Sequence, residues 1–382
     1  MACPPNHVAV IGAGIIGSSI ALNLTKKGCK VTLLDSAPHA ASAASKESWA
    51  WLNANRKAPE HYRDLNMMGM NVWSSLGSLA QFPGTLVLGD ARPAQEAYPS
   101  EGVSSESLAL LEPHLSPTAA AQGARLYRQE GFGYCAQAAD AFVEEAAANN
   151  AVVRFSEAVQ DVCLGHSEDG ISKVTEIAST SGRVQADAYV FAAGLGIPDL
   201  AKKAGVEVPL SSKPATLNVY TVPAPPLLQH MLLSETLYLR QARDGSILIS
   251  VYQDAWTEKL QVPSDVASRP EEAHRVGRQV REWAAVLVPE LANICIDRVS
   301  MTRYPYPQDG HPIIGFSNAV PNVYIAVMHS GATLGPLVGQ LAAAEITGTA
   351  SAEELAVLRP YRLERDFSTS VQAYTVGAAQ KV

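Results

Sequence analysis

The sequence predicts an α/β fold that opens on a Rossmann-type dinucleotide-binding unit and makes two excursions into a second domain. Residues 8–35, VAVIGAGIIGSSIALNLTKKGCKVTLLD, carry the first observation: an apolar run, the spacing G-x-G-x-x-G, a helical pattern, a second apolar run and an acid. Residues 237–253, LYLRQARDGSILISVYQ, carry the second: two strand-like runs around Asp244-Gly245, a hairpin signal. The third is length, because 382 residues hold two domains or one large domain with an insertion.

Residues 8–11 suit a buried parallel strand. Gly12 permits the tight turn after it, Gly14 lets the backbone approach a pyrophosphate, and Gly17 lets the helix pack on the strand. The helix puts Ile16, Ile20 and Leu24 on one face and closes at Lys26, Lys27 and Gly28. Free N–H groups at its start, at Ile15 and Ile16, are placed to bind phosphate charge. Residues 31–34 form the second strand. Asp35, 18 residues after Gly17, stands where a carboxylate accepts hydrogen bonds from an adenosine ribose, which favours FAD or NAD over NADP.

Residues 36–48 are small and polar. In this loop Ser42, Ser45, Lys46 and Ser48 either donate to a cofactor or face water. Trp49 and Trp51 suit a pocket wall or the core. Residues 61–80 read as a helix, with Leu65, Met68, Val72 and Leu76 at helical spacing. The first excursion, 82–134, carries strand candidates at 84–89 and 124–134. A helix is expected over 137–149, strands at 151–162 and 171–180 around the turn signal SEDG, and a buried strand ending in a glycine turn at 186–196. The second excursion, 213–304, holds the hairpin and a helix over 271–292. A strand at 322–327, a glycine turn and a helix over 335–348 follow.

The apolar share of 47% is ordinary for a globular protein, and a net charge of −8 argues against a nucleic-acid surface. No stretch reaches the roughly 18 apolar residues that span a bilayer. The N-terminal residues show neither a signal-peptide pattern nor room for a transit peptide, and the C-terminus is not a peroxisomal address, so a cytoplasmic location is expected. Cys3, Cys29, Cys135, Cys163 and Cys295 are scattered without a C-x-x-C, which predicts reduced thiols and no metal site.

Four stretches stand together in order: residues 10–35, ADAYVFAAGLG, RYPYPQDGHPIIG and YIAVMHSGATLGPLVGQLAAAEITG. Together they resemble the FAD-dependent amino-acid oxidases of the D-amino-acid oxidase, glycine oxidase and sarcosine oxidase superfamily, over most of the chain. The resemblance implies a glutathione-reductase-like FAD domain from residues 1–80, 135–212 and 305–382. It implies an α+β substrate domain on an antiparallel sheet from 81–134 and 213–304. It matches Gly12, Gly14, Gly17 and Asp35 to the pyrophosphate and ribose positions, Val159 to the residue whose backbone meets the adenine, and Ala193 and Gly194 to the turn over the pyrophosphate. Ser330, Gly331, Ala332, Thr333 and Leu334 match the C-terminal glycine turn against the flavin's pyrimidine oxygens. Arg303 matches the arginine that grips a substrate carboxylate, and Tyr238, on one face with Arg240, matches a tyrosine that also binds it.

Three departures qualify the resemblance. Where the sarcosine oxidase branch tethers FAD to a cysteine, this chain has Ser300-Met301, so FAD is expected to be non-covalent. That branch's oxygen-activating lysine is missing from SILISVYQ. The D-amino-acid oxidase branch ends this strand in a glycine pair, and Ser250-Val251-Tyr252 stands here, so Tyr252 narrows the pocket. The implied activity is oxidation of an amino acid or secondary amine by hydride transfer from the α-carbon to flavin N5, giving an imine and, with O2, H2O2. A dehydrogenase that passes electrons to a quinone or carrier protein, and a non-catalytic flavin-binding protein, stay open as alternatives. His311 and His329 fall near the flavin in this reading, each either tuning it or serving the structure.

Overall fold

The computed structural model describes residues 4–90, 98–166, 170–211, 215–251, 256–257 and 259–368. Its main sheet has six strands in the order Ile313–Phe316, Val323–Val327, Ala188–Phe191, His7–Ile11, Lys30–Leu34 and Val152–Arg154. All run parallel except Ile313–Phe316, which pairs antiparallel at one edge. Both faces are covered, which is why these strands read as unbroken apolar runs. Val8, Val10, Val31 and Leu33 pack on one side with Ile20, Leu24 and Leu341. Ala9, Ile11, Leu34, Tyr189 and Phe191 pack on the other.

Two helices on the first side lie close together, Ile15–Lys26 and Gly331–Ile346. Glycine makes this approach possible. A Cβ on Gly339 would overlap Ser19, and one on Gly335 would stand 2.9 Å from Ile15. The Ser19 hydroxyl donates across the interface to the Pro336 carbonyl at 3.2 Å.

An eight-stranded sheet runs Ile296–Arg303, Ala215–Thr221, Ile247–Val251, Leu237–Gln241, Met231–Leu233, Thr85–Leu88, Ala124–Tyr127 and Glu101–Val103. It is antiparallel except where Met231–Leu233 pairs with Thr85–Leu88. Strand alternation sorts its residues between two faces. Leu217, Val219, Ile249 and Val251 pack against Val276, Val280 and Ala284 of the helix Pro270–Leu287. The opposite face bears the cross-strand row Ser300, Asn218, Ser250 and Tyr238, and looks toward the Trp49 segment.

Several sequence expectations are corrected. The run 151–162 is not one strand: Val152–Arg154 joins the main sheet, and Val159–His166 joins a separate antiparallel sheet with Ser172–Ser179 and Gly182–Val184. Ser156, at φ 55°, makes the break. The run 124–134 likewise divides: Gly131–Gly133 leaves for a small sheet with Trp51–Leu52 and Ala80–Gln81. The helix expected over 61–80 is Glu60–Ser75, and the last helix begins at Gly331 rather than Gly335. Among the described residues, no helix is long and apolar enough to cross a membrane.

Candidate active site

The first helix starts at a cradle built from the glycine turn and the loop after the second strand. Gly14 is its N-cap and offers no side chain, so the Ile15 N–H donates instead to the Ser45 hydroxyl at 3.0 Å. A Cβ on Gly14 would stand 3.2 Å from that oxygen, and one on Gly17 would overlap the Gly12 carbonyl. Asp35 accepts from Ala13 N–H at 2.7 Å and Ala37 N–H at 2.8 Å, one on each oxygen, and each oxygen keeps a lone pair. The chain then brings residues 156–159 alongside: Ser156 N–H donates to Ala37 O at 2.8 Å and Glu157 N–H to Asp35 O at 2.9 Å. The Ala192–Ala193 turn closes over Gly12, where a Cβ would lie 2.6 Å from Ala192 O.

The four polar loop residues divide. Ser45 reaches the helix start. Ser42 donates to His39 O at 2.7 Å, Ser48 accepts from Ala50 N–H at 2.9 Å, and Lys46 is exposed.

The second helix start lies beside the first. A Cβ on Gly331 would be 3.3 Å from Ile16. Pro336 sits in the sixth position of this helix and has no N–H for the Ala332 carbonyl four residues back. The indole N–H of Trp73 donates to that carbonyl at 2.8 Å. Thr333 donates to Trp51 O at 2.9 Å, and the Tyr62 and Ser330 hydroxyls are hydrogen-bonded to each other. Half-buried Lys57 donates to Ser330 Oγ at 3.4 Å; enclosure by protein pushes its ammonium down to about 8, with Glu130 working the other way. His329 keeps an exposed edge, but its ring packs against aromatic side chains, its centroid 5.2 Å from Tyr304 and 5.1 Å from Tyr306. That enclosure and the Lys57 charge hold its imidazole well below the usual range. His311 is structural: its Nε2 bonds to the Ala58 carbonyl at 3.0 Å and its backbone N–H donates to Asp309.

On the sheet face, Tyr238, Trp49 and Trp51 form a wall. Their centroids are 5.1 Å (Trp49–Tyr238), 6.2 Å (Trp51–Tyr238) and 5.9 Å (Trp49–Trp51) apart, with the indoles edge to face. Ala50 between them takes φ 56°, a strained conformation for a residue with a Cβ. Behind the wall, fully buried Glu130 accepts from Trp51 Nε1 at 2.8 Å and Tyr98 OH at 3.1 Å. Burial pushes its carboxyl up to about 8 despite these donors.

Glu47 ties the loop to the sheet. Its Oε2 accepts from Arg298 at 2.8 Å, Ser300 at 2.7 Å and Tyr220 at 2.9 Å. Burial opposes its ionisation, but the hydrogen bonds from Arg298 and Ser300 outweigh it and hold the carboxyl below its ordinary value. Arg240 shares a face with Tyr238, as expected, and is committed inward: its Nε donates to Trp49 O at 3.0 Å over the Phe132 ring.

Arg303 stands apart from Tyr238. Tyr238 lies in the cross-strand row of Ser300, and Arg303 is an odd number of residues further on, so strand alternation directs it to the opposite face, exposed on the edge strand. Tyr252 falls outside the described residues.

The family model for FAD dependent oxidoreductases, DAO, matches residues 7–345. The chain belongs to this family. The bifunctional protein ThiO/ThiG of Trichormus variabilis is 25% identical over 384 residues, covering 95% of this chain and 56% of that protein. The 4-methylaminobutanoate oxidase (formaldehyde-forming) of Paenarthrobacter nicotinovorans is 26% identical over 386 residues, 92% of this chain and 45% of that protein. The chain thus spans about half the length of these curated relatives. Glycine oxidase from Geobacillus kaustophilus superposes with a TM-score of 0.76 at 20% identity, covering 96% of this chain and all of that one. L-Proline dehydrogenase from P. horikoshii gives 0.75 at 20% identity, over 95% and 99%. These structures share the DAO fold of this chain.

The DAO chain's residues fit the family's cofactor. Gly14 leaves room at a helix start for a phosphate, Asp35 keeps lone pairs for ribose hydroxyls, and a second helix start stands beside the first. Sequence reasoning overlooked Glu47, Lys57, Tyr62, Glu130 and Arg298. Only Arg298 left a readable signal: it alternates with Ser300 on a strand where Val299 and Met301 mark the other face as the core side. Lys57, Tyr62 and Glu130 are gathered by packing between distant segments, which no local spacing encodes.

Proposed function

We propose that this DAO-family chain holds FAD without a covalent tether and oxidises the C–N bond of an amino acid or related secondary amine to an imine. The meeting of the two helix starts carries the proposal, since a long anionic dinucleotide needs such a paired positive cradle. Bound FAD would supply the hydride acceptor. The chain's own residues do the rest. Ile15 N–H and Ser45 hold phosphate, Asp35 holds ribose, Val159 lies at the adenine end, and residues 330–334 present N–H groups to the ring. Ser300-Met301 stand where the sarcosine oxidase branch carries its tethering cysteine, which supports a non-covalent cofactor. The eight-stranded sheet supplies the substrate side, and the aromatic wall excludes water from it.

Arg303, the last residue of its strand, takes the substrate carboxylate in this proposal by turning around the sheet's end, while Tyr238 orients the substrate from the near face. Arg303→Ala should raise KM sharply for carboxylated substrates with kcat little changed, and an unchanged KM would remove that role. O2 is proposed as the electron acceptor, and peroxide output under air separates it from a quinone or carrier protein. The central test is anaerobic mixing of the yellow protein with D-, L- and N-methyl amino acids while the flavin absorbance is followed. Bleaching by one class is expected. A protein that stays colourless after soaking in FAD, or that no amine bleaches, would overturn the proposal.

A further inference from the structure

We infer that the wall of Trp49, Trp51 and Tyr238 selects an amino acid with an aromatic side chain, and that the Trp49 indole N–H donates to its carboxylate. This rests on the amine-oxidation reading above and names its substrate class. The two tryptophans differ in a way that separates their roles. Trp51 Nε1 is satisfied by Glu130, and Trp73 Nε1 by Ala332 O. Trp49 is only 7% exposed, yet its Nε1 has no acceptor among the described residues. Buried donors are nearly always paired, so an unmatched one in the wall of the proposed substrate side is a place for a ligand's acceptor. Trp256 also lacks an acceptor, but it lies in the core behind the sheet, away from this face.

The surroundings fix what kind of ligand fits. Tyr238 and Trp51 are half-buried, so protein does not seal the wall. Its rings meet at 39° to 81°, leaving faces and edges for a further flat ring. Beside Tyr238 the row Ser250, Asn218 and Ser300 is buried and committed to bonds within itself and to Glu47, so among the described residues the unmatched Trp49 N–H is the donor this face has left to offer. The Ala50 backbone, held at φ 56°, keeps the two indoles edge to face. A ligand that is flat at one end and carries an oxygen acceptor at the other matches both features.

The test uses the FAD-loaded protein, calorimetric titration, and two acids that differ only by a ring, phenylacetate and acetate. Phenylacetate should bind at least tenfold more tightly than acetate. Trp49→Phe keeps a ring and deletes the N–H, and it should weaken phenylacetate about tenfold with FAD content and melting temperature retained. Equal affinity for the two acids, binding of neither, or an unchanged phenylacetate affinity in Trp49→Phe would overturn the inference. So would a variant that loses FAD affinity while phenylacetate binding stays the same, since the donor would then belong to the cofactor. Should Trp49→Phe fail to fold, the wild-type ratio of the two acids still decides the aromatic preference. A chain that takes up no FAD refutes the parent proposal instead, so the two failures are distinguishable.

Discussion

Trp73 performs a backbone's task. Pro336 deprives the Ala332 carbonyl of its helical partner, and the indole N–H supplies one from another helix. Trp73→Phe should therefore lower stability by about 1–3 kcal/mol from the unpaired carbonyl alone, before any cavity is counted, read as a fall in the urea midpoint. Glu130 gives a pH signature of definite sign. Its folded pKa is raised to about 8, above the ordinary carboxyl value, so the folded state binds more protons across that interval. Stability should fall as pH rises from about 4.3 toward 8. Glu130→Gln should flatten that slope in denaturant melts taken at several pH values; an unchanged slope would show that other groups set it. Asp35 and the glycines were legible because covalent spacing alone dictates their positions. Glu130 was not, because its effect depends on Trp51 and Tyr98, 79 and 32 residues away in sequence.

At the level of elements, the start of the last helix was the main misreading. Pro336 in the sequence suggests a helix that begins nearby, since proline is favoured in the first turn. Here tertiary contacts to Trp73 and Trp51 extend the helix back to Gly331. The loop 36–48 is a second case. Its composition is that of a solvated connection, yet Glu47 fastens it by three side-chain bonds to two strands of the far sheet. Glu47→Ala should release it, seen as faster FAD loss and faster proteolytic cutting within 36–48, with the rest of the chain intact. Because the Glu47 pKa is lowered on folding, this fastening operates above the ordinary carboxyl range, near 4.3, and weakens as pH falls through the lowered value. Equal cutting of variant and parent at neutral pH would show that the loop is held elsewhere. The parallel strands and the hairpin at Asp244-Gly245, by contrast, follow their sequence patterns closely, because local alternation and turn chemistry suffice for them.

For the molecule as a whole, two helix starts lie side by side, and each carries positive partial charge. A cofactor that binds only the folded state should raise stability by about 2.7 kcal/mol when present at a hundredfold excess over its Kd. For a chain of this size that is a rise of several degrees in melting temperature, measurable with and without FAD. Gly339→Ala would drive the two helices apart by overlap with Ser19, and overpacking of this kind costs about 1–3 kcal/mol. It should lower the melting temperature of the FAD-free form and shrink the rise that FAD produces.

The bond from Ser19 to Pro336 joins residues 317 positions apart. A ribosome that has made the glycine turn must add some three hundred further residues before the opposing helix emerges. Until then the nascent polypeptide owns half a cradle, so the pairing of the two helix starts comes late in synthesis. Contacts of such long range also close slowly.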